Sequence, residues 1–85
     1  MNITYKYTPE DFKGLLNLPG ELRVFYNLIE NYKEDSSDSN WFELRKHWED
    51  VYFTIKHREV EGFLNSSTAS ELREYLEELV NTFIK

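Results

Sequence analysis

The chain contains no cysteine, and that absence removes the usual supports of a small fold. Disulfides are excluded, as are thiolate zinc sites and a thiol nucleophile. Only three glycines and two prolines are present, and no glycine-rich phosphate loop can be found. No serine stands near a histidine–acid pair, and a core this small leaves little concave volume for a buried site. No apolar run approaches the roughly 18–20 residues that cross a bilayer. The amino terminus, Met1-Asn2-Ile3-Thr4-Tyr5-Lys6, has neither a basic start nor an apolar stretch, so no signal peptide is expected. Together these absences predict a cytoplasmic protein with no enzymatic activity, no cofactor, no metal and no membrane partner.

Aromatic side chains are what the sequence has in plenty: two Trp, six Tyr and six Phe in 85 residues. A domain of this length buries only roughly 60% of the surface its unfolded chain exposes. Aromatic rings, each burying about 150–250 Å², can therefore replace many aliphatic contacts. The length predicts a single small acidic domain spanning residues 1–85. Its net charge is −6, concentrated in residues 34–50 (six acids, two bases) and 67–85 (four acids, two bases). Such a chain repels phosphate backbones and is drawn to basic protein surfaces.

Ile3, Tyr5 and Tyr7 alternate with polar residues, as in a short strand. Thr8-Pro9-Glu10-Asp11 has the cap, proline and acids of a helix start, and the turns after it would bury Phe12, Leu15 and Leu16. Leu18-Pro19-Gly20 interrupts that run. A second helix is predicted from about Pro19 to Lys33, with Leu22, Phe25, Ile29 and Tyr32 on its buried stripe. Residues 34–40 hold no apolar member and predict an exposed loop. The last helix is predicted over residues 68–83. Thr68-Ala69-Ser70-Glu71 reads as a capping box, and Leu72, Leu76, Leu79, Val80 and Phe83 form the stripe.

Residues 41–65 fit a three-stranded antiparallel meander. A turn at Glu49-Asp50 sets Lys56 opposite Glu43, and a turn at Arg58-Glu59 sets it opposite Glu61. The same register gathers Phe42, Leu44, Trp48, Val51, Phe53, Ile55, Val60 and Leu64 on one face. Neither turn has the glycine or asparagine that tight hairpins prefer. Trp41, Leu44, Trp48, Val51 and Ile55 are also spaced for a helix, with Asn40 and Glu43 as its capping box. The β-rich run Val51-Tyr52-Phe53-Thr54-Ile55 favours the strands. The predicted fold is α+β, in the order β-α-α-β-β-β-α, with helices on one face of a meander that the amino-terminal strand can extend.

On that fold Trp41, Arg45, His47, Tyr52, Lys56 and Phe63 share the sheet face opposite the core, Trp41 and Tyr52 exposed together as binding anchors. Glu34, Asp35 and Asp38 form an acidic rim, and Glu74 and Glu78 form a like-charge pair on the last helix that a basic partner would relieve. The rim lacks the glycine and distal glutamate of an EF-hand. His47 and His57 point to opposite faces of the meander and do not converge on a metal.

Two functional expectations follow. In size, acidity and lack of cysteine the chain resembles immunity proteins of bacterial toxins and phage-encoded inhibitors of defence nucleases. The resemblance implies an inhibitor that blocks a basic partner surface by charge and aromatic contacts. The alternative is a nucleic-acid-binding regulator whose sheet face stacks bases on its rings. The predicted helix-strand-strand-strand-helix order resembles the layout of double-stranded-RNA-binding domains. That layout implies a basic start to the final helix, where this chain has Ser67-Thr68-Ala69-Ser70-Glu71, so nucleic acid is the weaker expectation.

Overall fold

A 3.6-residue period, and not the alternation of a sheet, sorts the apolar side chains of this chain. The computed structural model describes residues 5–83, with the backbone alone for Phe83, and contains no strand among them. A 3₁₀ turn, Pro9–Phe12, precedes three helices: α1 (Leu18–Glu34), α2 (Asp38–Val60) and α3 (Ser66–Phe83). The predicted α+β fold is thus replaced by a helical bundle. Of the predicted amino-terminal strand, Ile3 lies outside the described residues, and residues 5–7 are irregular.

Local chemistry sets each boundary. Thr8 opens the 3₁₀ turn as expected, its N–H donating to Asp11 Oδ2 at 2.8 Å. Of the residues predicted to follow it into the core, Phe12 is buried, Leu15 half-buried and Leu16 exposed. α1 matches its prediction: Pro19 lies in its first turn, Leu22, Phe25 and Ile29 are buried, and Tyr32 is half-buried. The acidic loop is shorter than expected. Only residues 35–37 are irregular, because Ser37 Oγ accepts the Asn40 N–H at 3.2 Å and starts α2 at Asp38. Asn40 is not a cap; its side-chain amide donates back to the Asp35 carbonyl at 2.8 Å.

α2 takes up the first two predicted strands, with the proposed turn at Glu49-Asp50 in its middle, and residues 61–65 of the predicted third strand are instead the turn and link that lead to α3. Arg58-Glu59 is also helical, and the chain reverses three residues later. There Gly62 takes φ +86, and Phe63 N–H and Gly62 N–H donate to the Arg58 and Glu59 carbonyls at 3.0 and 3.1 Å. These two bonds form a glycine-dependent helix stop. α3 begins two residues before Thr68, since Asn65 Oδ1 accepts the Thr68 N–H at 2.8 Å; the predicted Thr68–Glu71 capping box is not used. Its expected stripe is buried at Leu72, Leu76, Leu79 and Val80, and the Phe83 side chain lies outside the described residues.

The central helix decides the core. Leu44, Val51 and Ile55 are fully buried at i, i+7 and i+11, with Trp48 half-buried between them. Phe42, Phe53 and Val60, predicted to share that core, are 60%, 58% and 77% exposed. With no sheet to separate odd from even positions, they fall on the opposite side of the helix. The pairing of Lys56 with Glu43 and Glu61 across strands disappears with the strands, and Lys56 is exposed. α1 packs along α2 after the three-residue link, and α3 returns along it after Gly62. The His47 ring meets the Glu21 carbonyl of α1 at 3.0 Å, and Arg73 of α3 meets Glu59 at 2.7 Å. At about 1.5 Å per residue, a 23-residue helix accounts for most of the 38 Å long axis.

Candidate functional site

The α1–α2 link places acids and aromatic rings side by side. Glu34 is the last residue of α1, Asp35 caps it and Asp38 is the first residue of α2; all three are exposed. One turn on, the Trp41 N–H donates to the Ser37 carbonyl, which sets Trp41 and Phe42 directly beside this corner. Trp41 is 38% exposed, Phe42 more so, and Glu43 follows in the open.

From Trp41 a ladder climbs one flank of α2, because Trp41, Arg45, Trp48 and Tyr52 recur at i, i+4, i+7 and i+11. The Arg45 guanidinium lies 5.9 Å from the ring centres of both Trp41 and Trp48. Trp48 leans on Tyr52 at 5.7 Å, and Arg73 of α3 reaches over Tyr52 at 5.8 Å. Arg73 also donates to Glu59, whose carboxyl is held below the ordinary range by that hydrogen bond first and by Ser66 second. Cation–ring contacts at such exposed sites each contribute about 0.5–1 kcal/mol. Trp41 and Tyr52 are therefore not exposed as a pair on a polar sheet face. Trp41 is open, whereas Tyr52 is half-buried between Trp48, Phe53 and Arg73.

The outer side of α2 carries a second set of rings. Phe42, Lys46, Glu49, Phe53, Lys56 and Val60 follow at steps of four and three, a continuous solvent-facing stripe, and Phe63 is 62% exposed just beyond Gly62. The β-register concealed this stripe by assigning its apolar members to the core; the alternating four-three spacing was the signal that could have found it.

The other predicted residues lie apart from the corner. His47 turns toward α1 and lines an open cleft of about 290 Å³ with Val24, Leu28, Glu43, Lys46 and Asp50. His57 lies ten residues further along the same helix, about 15 Å away by the helical rise, so the two histidines are separated by distance along one helix and not by opposite faces of a sheet. Glu74 and Glu78 line an open cleft of about 690 Å³ on α3 with Glu71, Glu77, Tyr75, Asn81 and Lys6. Lys6 donates to Glu71 at 3.3 Å, which raises the Lys6 ammonium above its ordinary range and lowers the Glu71 carboxyl below its own.

Among the described residues no group of three or more His, Asp or Glu side chains is placed to hold a metal ion, and no helix is long and apolar enough to cross a membrane. No protein-family model matches the chain, and neither a curated protein nor a solved structure matches it.

Proposed function

We propose that the chain is a non-enzymatic protein-binding module that inhibits a partner by covering a basic surface. The observation that carries this reading is the corner itself. Two exposed aromatic side chains, Trp41 and Phe42, stand in the opening turns of α2 with Asp38 and Glu43, just past the end of α1 that carries Glu34 and Asp35. Aromatic anchors supply residence time in an interface, and surrounding like charges speed encounter with a partner of opposite sign. A net charge of −6 favours the same class of partner. The lack of cysteine supports a reducing, cytoplasmic setting. The nucleic-acid reading needed rings and bases together on a sheet face. In the bundle His47 turns toward α1, Lys56 lies on the outer stripe and Tyr52 is taken up by Arg73, so that reading is not carried forward.

Affinity capture from the source cell with wild-type protein, followed by mass spectrometry and titration of the purified partner, tests the reading. The partner should carry a basic contact surface. Trp41→Ala and Phe42→Ala should each weaken binding about ten-fold or more, as interface hot spots do, with the fold retained and, for Trp41, a stability loss of about 0.5–1 kcal/mol from its contact with Arg45. Binding indifferent to both substitutions, or capture of nucleic acid in place of a protein, would overturn it.

A further inference from the structure

Residues 5–12 form an arm that bridges α3 and α1 through a discrete set of contacts. On the α1 side the Tyr5 ring lies flat on Tyr26, 3.8 Å between centres, and its hydroxyl donates to Glu30 Oε2 at 3.0 Å. The Tyr26 hydroxyl donates to the Tyr7 carbonyl at 2.6 Å, and Phe12 is buried in the core. On the α3 side the Lys6 N–H donates to the Tyr75 hydroxyl at 2.8 Å, Tyr7 meets the Tyr75 ring edge-on at 5.5 Å, and Lys6 pairs with Glu71. Among the described residues the arm's backbone–backbone bonds run only within itself and to the joint that follows, and its backbone is tied to the helices through the hydroxyls of Tyr26 and Tyr75.

That joint, residues 13–17, is where the backbone is strained. Leu15 N–H closes a turn onto the Phe12 carbonyl at 3.1 Å, with Gly14 at φ +93, where a type II turn calls for glycine. Leu16 follows at φ +44, a left-handed conformation that a leucine Cβ resists. Its side chain is 69% exposed, so packing gives little in return. A closed hinge under strain next to a detachable arm is the condition under which two copies exchange an element.

We propose that the arm exchanges between two copies of this chain, residues 5–12 of each seated on α1 and α3 of the other. Every arm contact is remade with an identical receptor, and straightening the joint releases the left-handed Leu16. The opposing term is the entropy of association, so the closed monomer prevails when dilute and the exchanged dimer forms as concentration rises. This inference is independent of the proposed partner and uses none of the corner residues.

Two substitutions move the equilibrium in opposite directions. Leu16→Gly relieves the closed joint and should lower the dimer association constant about ten-fold or more, since each dimer opens two joints. Gly14→Val should raise it, because a Cβ there meets no atom within 4 Å and the penalty falls on the closed backbone alone. Sedimentation of the three proteins over a concentration series reads both shifts. Wild-type chains labelled with ¹⁴N and ¹⁵N, mixed, concentrated and treated with a carbodiimide, then show which copy holds the arm. The Lys6–Glu71 amide link should join light to heavy chains in the dimer fraction and only like to like in the monomer. Equal dimerisation of all three proteins, a Gly14→Val protein that melts lower yet stays monomeric, or a dimer linked only within single chains would overturn the exchange.

Discussion

At the scale of single residues, Tyr26 shows how one buried hydroxyl ties stability to pH. Its ring is buried, and burial, foremost, pushes the hydroxyl well above the usual value of 10.0; Tyr5 is pushed up in the same direction by burial and then by its bond to Glu30. The folded chain therefore keeps protons that the unfolded chain releases near pH 10. Both groups stabilise the fold fully below that pH, and their contribution drains away as pH rises toward the folded values. Melting temperatures should hold from neutral pH to about 9 and fall above about 10. Tyr26→Phe should melt lower at neutral pH, having lost a bond worth about 1 kcal/mol, and fall less steeply in alkali. An equal alkaline fall in both proteins would assign the effect to other groups. Lys56 gives the contrary case. A cross-strand register would have made Lys56→Glu costly, but on the exposed outer side of α2 its thermal melt should differ from wild type by no more than about 0.5 kcal/mol.

At the scale of elements, α3 was legible and α2 was not. Leu72, Leu76, Leu79 and Val80 make a stripe opposite four glutamates, so burial and charge name the same face. Leu76 is 1% exposed, and Leu76→Ala should cost about 2–5 kcal/mol. The measurement is denaturant unfolding followed by circular dichroism, and a midpoint equal to wild type would mean that this face of α3 is not core. α2 offered no such agreement. Its rings occupy the core side, the Arg45 flank and the outer side, so the helical period is blurred all round. Val51-Tyr52-Phe53-Thr54-Ile55 then reads as a strand by local preference, which the packing of Leu44, Val51 and Ile55 between two helices overrides. The glycine-free turns were the warning: the one glycine that ends the element is Gly62, three residues past the second proposed turn and inside the predicted third strand. The candidate site was legible in part for the same reason. Trp41 and the acids of residues 34–38 adjoin in either fold, whereas Phe42 enters the site only when residues 40–43 turn as a helix.

At the scale of the whole molecule, the charges decide how a partner would arrive. The bundle is 38 Å long, and at physiological salt a charge is screened over roughly 8 Å, so the acids cannot all act on one encounter. Those beside the anchors should count most. Replacing Glu34, Asp35 and Asp38 with their amides should slow association several-fold while leaving dissociation nearly unchanged, because exposed rim charges steer without holding. Glu74→Gln with Glu78→Gln provides the comparison, since these residues line the α3 cleft, to which no corner residue contributes. If the corner is the contact, this second pair should change the association rate less per charge removed than the first three substitutions. Stopped-flow traces across a range of ionic strength would separate the two, since only the steering charges give a rate that falls as salt is added and flattens once they are gone. A salt dependence that survives loss of Glu34, Asp35 and Asp38 but vanishes with Glu74 and Glu78 would move the contact surface from the α1–α2 corner to α3.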